Sequence, residues 1–306
     1  MRVAVLTGGV GGAKLVEGLA TCGEVSALAA IVNTGDDFRH LGLHVSPDID
    51  TLLYTLAGLA DRARGWGRAD ETWRFMAALG ALAGPEWFRL GDADLALHVL
   101  RTHRLAGGEP LSSVTREFAH RLGVAAEVLP MSDGLVATWL DTDEGALAFQ
   151  TYFVARRCEP VVRAVRFEGA ATAGPAPGVS EAIGRAEAIV VAPSNPWLSI
   201  DPVLAVPGIA DALRAASAPV IAVSPLIGGK AVKGPTGKLM AELGLPADNA
   251  TIAAHYAGLI DGLVHDRRDG APPGLPARAT ATLMTTLDDK RRVASAALAL
   301  ARQLGR

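Results

Sequence analysis

The stretch Val3–Val32, VAVLTGGVGGAKLVEGLATCGEVSALAAIV, decides the fold. Val3–Leu6 is a short apolar run that reads as a buried strand. Thr7–Gly12 is a glycine turn, Ala13–Thr21 has a helical pattern, and Ala27–Val32 is a second wholly apolar run. Strand, turn, helix and strand make a βαβ unit, which implies a parallel sheet. Glycines let a backbone come close to a phosphate, and the following helix N-terminus offers free N–H groups and partial positive charge. Gly8, Gly9, Gly11 and Gly12 therefore suit a phosphate loop as well as a tight structural turn. Neither named nucleotide motif fits. Lys14 stands where the dinucleotide fingerprint needs glycine or alanine, and Leu15 follows Lys14 where a Walker A loop needs Ser or Thr.

Working outward, Asn33–Asp50, NTGDDFRHLGLHVSPDID, follows the second strand directly. It carries Asp36, Asp37, Asp48 and Asp50 with His40, His44 and Arg39. Open α/β sheets place their ligand crevices at the carboxyl ends of strands. If Ser46–Asp50 is extended, Asp48 and Asp50 point the same way, because side chains alternate with a period of two. Two convergent carboxylates can hold magnesium on a diphosphate, or orient hydroxyl groups. The competing reading is an acidic turn that N-caps a helix from about Thr51.

Residues from about 51 to 123 read as mostly helical, unlike the α/β segments on either side, and are expected to form an insertion or cap on a single α/β domain. Helical patterns cover Thr51–Leu59, Asp70–Leu82, Leu95–His103 and Ser112–Leu122. Between them lie the basic loop Arg62–Arg68 with Trp66, and Arg89–Asp94 with a second acidic i, i+2 pair. Val136–Leu140 and Ala146–Val154 read as a hairpin, extended by Val161–Phe167. Two further apolar strands of the buried parallel type, Ala188–Ala192 and Pro219–Val223, are each followed by a polar or glycine-rich loop. The first is Pro193–Ser199, with Ser194 and Asn195. The second runs through Ser224–Lys230 to Lys233–Lys238, KGPTGK, ahead of a helix over Leu239–Leu243. Thr251–His255 and Leu263–Asp266 read as strands and Leu287–Leu304 as a final helix. The fold class is thus a Rossmann-like, mostly parallel α/β sheet with a helical insertion and a small antiparallel hairpin region.

Hydrophobic residues at 50% allow a sizeable core, and a net charge of −3 argues against general attraction to nucleic acid. Cys22 and Cys158, far apart, form neither a disulfide framework nor a zinc pattern, which fits a reducing cytoplasm. No apolar run suits a signal peptide or a membrane span. Three loops after three apolar strands favour a phosphorylated ligand.

At these loops the chain resembles the 2-phospho-L-lactate transferases of deazaflavin coenzyme (factor 420) biosynthesis. The resemblance rests on an ordered set: Thr7–Gly12, Asn33-Thr34, Ser46–Thr51 (SPDIDT), Arg89–Asp94 (RLGDAD), Leu129–Asp133 (LPMSD), Ala192–Pro196 (APSNP), Ala222–Gly229 (AVSPLIGG) and Lys233–Met240 (KGPTGKLM). It implies transfer of a phospho-acid group from a guanosine diphosphate conjugate of lactate, enolpyruvate or glycerate. The acceptor is the ribitol hydroxyl of 7,8-didemethyl-8-hydroxy-5-deazariboflavin, and GMP leaves. It also implies magnesium and a homodimer. Carried over by position, Asp50 contacts the deazaflavin and Arg89 is its basic neighbour. Asp48 and Asp50 are the catalytic candidates, with Asp48 and Asp36 as metal candidates. Gly8, Gly9, Gly11, Gly12, Ser194, Asn195, Gly237 and Lys238 serve the nucleotide and phosphates. Trp66 is available to stack on a flat ring. The rival is a UDP-sugar-binding regulatory branch of the same superfamily, which shares the glycine turn and the SNP loop; the SPDIDT, RLGDAD and LPMSD segments separate the two.

Overall fold

In the computed structural model, which describes residues 1–232 and 234–305, β1 (Arg2–Thr7), α1 (Gly9–Ala20) and β2 (Ala27–Val32) form the parallel βαβ unit. Lys233, the first residue of the KGPTGK loop, lies outside the described residues. A short antiparallel ribbon follows, β3 (Phe38–His40) with β4 (Leu43–Val45). The chain is then helical through α2 (Pro47–Leu56), α3 (Arg74–Ala81), α4 (Asp92–Ala106) and α5 (Leu111–Arg121), before β5 (Glu127–Pro130). Next come β6 (Ala137–Thr142), β7 (Gly145–Ala148) and β8 (Val162–Glu168), a separate antiparallel sheet in the order β7-β6-β8. The remaining elements are α6 (Val179–Arg185), β9 (Ala188–Val191), α7 (Asp201–Leu204), α8 (Ile209–Ala215), β10 (Val220–Val223), α9 (Thr236–Glu242), α10 (Asn249–His255), β11 (Gly262–Asp266), β12 (Ala277–Thr280) and α11 (Leu287–Leu304).

The seven main strands run in the order β12-β11-β10-β9-β1-β2-β5, all parallel. The chain leaves β1 towards β2 and β5, then returns to β9 on the other side of β1. The β1/β9 boundary is therefore the point where the direction of winding reverses, and the carboxyl ends of the strands diverge there. Both faces of the sheet are buried, which is why its strands read as unbroken apolar runs. Val3 and Val5 of β1, with Ala30 and Val32 of β2, face α1, α2, α5 and α11. Ala4, Leu6, Ala29 and Ile31 alternate onto the opposite face, against α6, α8, α10 and the antiparallel sheet.

The sequence expectations hold for the βαβ unit, the parallel core strands, the three-stranded antiparallel piece and α11. Four local readings change. The glycine turn is itself the first turn of α1, because Gly8 is its extended N-cap and Gly9 starts the helix. Asp48 and Asp50 are not on an extended segment: α2 begins at Pro47, the usual first helical position for proline. Residues 251–255 are helical, not a strand, because Asp248 caps α10 by accepting the Thr251 N–H at 2.8 Å. The strand expected over Ala146–Val154 stops at Ala148 and continues into a π-helical turn over Thr151–Ala155. The helical region is also divided. Leu52 and Leu53 of α2, with Val114 and Phe118 of α5, belong to the core under the sheet. The part that stands apart is the segment around α3, with its own small core of Val45, Met76 and Leu90.

α1 crosses α11 in close contact at Gly18. A Cβ placed on Gly18 would lie 2.4 Å from the Lys290 carbonyl oxygen. Beside it, Lys290 is buried on Glu17, whose other oxygen accepts from Arg62 at 2.9 Å. Gly18→Ala should therefore lower unfolding free energy by about 1–3 kcal/mol, the usual range for overpacking. Urea unfolding measures this, and an unchanged midpoint would show that the crossing tolerates a methyl group.

Candidate functional site

A cavity of about 760 Å³ opens at the carboxyl ends of the strands, over the β1/β9 boundary. Its floor is built by backbone proximity. A Cβ on Gly8 would lie 2.5 Å from Asp48 Oδ2, and one on Gly12 would lie 2.2 Å from Thr7 Oγ1 and 2.6 Å from Ser194 Oγ. These two glycines are needed for close approach, whereas Gly9 is needed for its φ of +64°. Ser194 Oγ donates to the Gly8 carbonyl at 2.7 Å and accepts from the Gly8 N–H at 3.1 Å. It thus staples the turn of β1 to the loop after β9. Asn195 accepts from the Trp197 and Leu198 N–H groups at 3.0 and 3.1 Å. Its Nδ2 is buried and has no hydrogen-bond partner among the described residues. Gly8, Gly9, Gly11, Ser194 and Asn195 all line the cavity, together with Thr236 at the start of α9.

The wall beside the glycine turn is acidic. Asn33 Nδ2 donates to Asp36 Oδ1 and to Asp48 Oδ2, each at 3.0 Å, while its Oδ1 accepts from the Gly35 N–H at 2.7 Å. One amide therefore holds two carboxylates side by side. Asp48 Oδ1 accepts from the Gly9 N–H at 2.7 Å, so this acid also caps α1. Burial raises Asp36 well above the usual carboxylate range, and the neighbouring Asp48 and Asp37 add to the rise. Burial likewise pushes Asp48 up to about 6, against the opposing bonds from Asn33 and Gly9. Asp37 is raised by burial too, moderated by His44 at 3.1 Å and the Ser46 hydroxyl at 2.6 Å.

Asp50 has a different environment. Arg101 on α4 grips it through both terminal nitrogens, Nη1 to Oδ2 at 3.0 Å and Nη2 to Oδ1. His98 lies between two acids, with Nδ1 3.6 Å from Asp50 and Nε2 3.2 Å from Asp94. Tyr54 donates its hydroxyl to Asp94 at 2.5 Å. Burial opposes ionisation of Asp94, but His98 and Tyr54 outweigh it and hold that carboxyl below its usual range. Asp50, Tyr54, Asp94 and His98 line the cavity. An aromatic rim from the α3 segment completes it, with Trp66, Trp87 and Phe88 alongside Arg89, whose guanidinium stacks 4.5 Å over Trp73. Phe149 and Phe153, stacked at 5.3 Å, line the cavity from the antiparallel sheet and the π-turn.

Of the residues singled out in the sequence, the cavity brings together the glycine turn, Asp36, Asp48, Asp50, Trp66, Arg89, Ser194 and Asn195. Gly12 lies just beneath, against Thr7 and Ser194. Gly237 and Lys238 are not part of the lining. Lys238 turns away to the Pro160 carbonyl at 2.7 Å and to Glu242, one helical turn on. Sequence reading missed Arg101, Asn33 as the link between acids, Trp87, and the Phe149/Phe153 pair. Arg101 had a visible signal: Asp94, His98 and Arg101 are spaced i, i+4 and i+7, one face of a helix.

Fold and cavity define an α/β protein with its ligand crevice at the topological switch point. The chain belongs to the 2-phospho-L-lactate transferase CofD family, whose model matches residues 3–300. It is 42% identical to a phosphoenolpyruvate transferase of Streptomyces coelicolor and 44% identical to one of Kitasatospora aureofaciens, each alignment covering 99% of both chains. A crystal structure of a UPF0052 family member from Bacillus halodurans superposes with a TM-score of 0.64 at 19% identity, covering 97% of this chain and 99% of that one. That likeness bears on the fold. Among the described residues, no helix is long and apolar enough to cross a membrane.

Burial disfavours the ionised form of Asp36 in the folded protein. Its folded-state proton affinity is raised, so its contribution to stability is fully present below the ordinary carboxylate range and is lost as pH rises through the folded value. Asp36→Asn keeps an acceptor for Asn33 and removes the charge. In chelator it should melt higher than wild type at pH 7.5, by a margin that shrinks as the pH is lowered towards 4; equal melting temperatures throughout would refute the uncompensated charge. Lys238→Ala should leave GDP affinity in a calorimetric titration unchanged, and a loss would place this lysine in the nucleotide site after all.

Proposed function

We propose that the protein transfers a phospho-acid group from a guanosine diphosphate conjugate to the ribitol hydroxyl of 7,8-didemethyl-8-hydroxy-5-deazariboflavin, releasing GMP, in deazaflavin coenzyme biosynthesis. Of the donor acids, enolpyruvate is favoured, because the similar proteins of Streptomyces and Kitasatospora are phosphoenolpyruvate transferases. The observation that carries the reading is a single cavity with two unlike sides. One side offers glycine backbone, hydroxyls and the start of α9, which suit phosphates. The other offers carboxylates for hydroxyl groups, beneath an aromatic rim with Arg89, which suits a flat, polyhydroxylated acceptor.

The reacting hydroxyl oxygen forms a new bond to the phosphorus that bears the acid, and the bond from that phosphorus to GMP breaks. Such transfers need positioning and charge neutralisation more than covalent help. Asp48 and Asp50 both line the cavity and are the carboxylates available to take the hydroxyl proton. Asp50, gripped by Arg101 through both oxygens, is held in a fixed orientation. It serves as a hydrogen-bond acceptor for the ribitol chain.

The residues present fit magnesium. Among the described residues no group of three His, Cys, Asp or Glu is arranged to hold a metal. Magnesium, however, is usually held by one or two carboxylates, with water and substrate phosphates completing the shell. Asp36 and Asp48, side by side on Asn33 and disfavoured as bare charges, would hold it. When bound, it neutralises charge on the diphosphate and on departing GMP.

The test is a fluorescence titration of the protein with the deazaflavin, with and without GDP and magnesium, followed by assay of GMP release from the lactate, enolpyruvate and glycerate donors. Saturable deazaflavin binding and fastest release from the enolpyruvate donor are expected. Absence of deazaflavin binding, with tight binding of a UDP-sugar instead, would overturn the reading in favour of the regulatory branch. Arg89→Ala should weaken deazaflavin binding while leaving GDP binding intact; equal losses in a folded protein would cancel the two-sided assignment.

A further inference from the structure

Arg101 is completely buried, yet it is not part of the cavity lining. It comes from α4, in the helical region, and reaches α2 from behind the wall that Asp50 forms. Its terminal nitrogens converge on Asp50, and Nη1 also lies 3.5 Å from His98 Nδ1. The guanidinium lies 5.9 Å from the Phe118 ring of α5, and its Nε has no hydrogen-bond partner among the described residues. A buried arginine with one donor left unmatched is committed to the partner it does have. Its planar fork fixes both the position and the plane of the carboxylate, which a lysine's single ammonium group would not do. The lone pairs of Asp50 not used by the fork are the ones left for the cavity.

We infer that Arg101 is a positioning residue for the acceptor substrate: from behind the cavity wall it fixes the plane of the Asp50 carboxylate, so that Asp50 presents oriented acceptor lone pairs to the hydroxyl groups of a polyol chain. This rests on the proposed transferase reading, and adds to it a residue that touches no substrate. The competing account is that the pair merely fastens α4 to α2. A buried ion pair is a weak source of net stability, since apolar residues of similar volume often replace one without loss. Orientation of Asp50 is what an apolar pair could not supply.

The experiment uses Arg101→Lys, which retains the positive charge and removes the fork. Thermal melting and a GDP titration report whether the variant is folded with its nucleotide side intact. With both at wild-type level, the deazaflavin dissociation constant and the acceptor KM should rise about 10-fold, in the range found when an orienting partner is lost. The donor KM should not move. A folded Arg101→Lys protein that binds deazaflavin as wild type does would overturn the inference. So would equal losses of GDP and deazaflavin binding, which would mark a structural role. Should Arg101→Lys not fold, Asp50→Asn/Arg101→Gln, which leaves no unpaired charge, is compared with Asp50→Asn alone. Equal deazaflavin affinity in those two proteins supports action through Asp50, and a further loss in the double variant overturns it. If wild type itself fails to bind deazaflavin, the transferase reading falls and takes the acceptor role of Arg101 with it. Wild-type binding with an unaffected variant removes Arg101 alone.

Discussion

Taking a carboxylate out of water without a countercharge is costly, and this fold does so where it could have kept the acids at the surface. Asp36 and Asp48 are both buried against the same Asn33 amide. Much of the local architecture follows from holding them there. α2 must start at Pro47 so that Asp48 can reach the Gly9 N–H, and residue 8 must be glycine because Asp48 fills the space a side chain would take. Ser194 then ties the same turn to the loop after β9. The acid pair, the start of α1 and the switch point of the sheet are therefore one mechanical unit. Stability spent in this way is characteristic of functional sites, where strain or uncompensated charge is maintained by the surrounding core.

The same arrangement underlies the proposal that one cavity takes two chemically different ligands. In that reading phosphates meet backbone groups, whose partial charges are fixed and do not need to be screened by mobile side chains. Those groups come from the loops after β1 and β9 and from the start of α9. In the same reading hydroxyl groups meet acceptors from the loop after β2 and from α2, beside the glycine turn. The helical region supplies the remainder. Its α3 segment carries Trp66, Trp87 and Arg89 on the rim, with Arg64 and Arg89 stacked on Trp73. Arginines on the Trp73 indole add to the small core of Val45, Met76 and Leu90, against which Trp73 packs, in holding this segment in shape.

Legibility in the sequence followed the range of the interactions. The parallel sheet could be read because strands buried on both faces leave unbroken apolar runs, as in Ala27–Val32 and Ala188–Val191. α11 could be read as a helix over Leu287–Leu304, and the structure shows what starts it, a Thr286–Asp289 capping box. β12 could not: Ala277-Arg-Ala-Thr280 is a half-exposed edge with no apolar signature. In the site, the glycine turn and the acids announced themselves locally, and the cavity gathers them. Of the two readings open for Ser46–Asp50, the extended one fails for a physical reason. Spacing of i, i+2 aligns side chains on a strand but sends them to different sides of a helix. Lys238 shows the opposite failure, since a lysine near a glycine loop resembles a phosphate ligand until Glu242 appears one turn later on the same helix face.

That geometric difference at Asp48 and Asp50 determines the chemistry of the two acids. On one helical turn, two residues apart, they diverge by roughly 200° around the axis. Asp48 turns towards the start of α1 and meets an amide and a backbone N–H, which stabilise it without supplying a full charge. Asp50 turns towards α4 and meets a guanidinium. Two acids of one type thus stand in unlike environments within a single site. A strand would have given both acids the same neighbours. The helix separates them, and α4, which comes about fifty residues later in the chain, completes the separation by bringing Arg101 to one of them and not to the other.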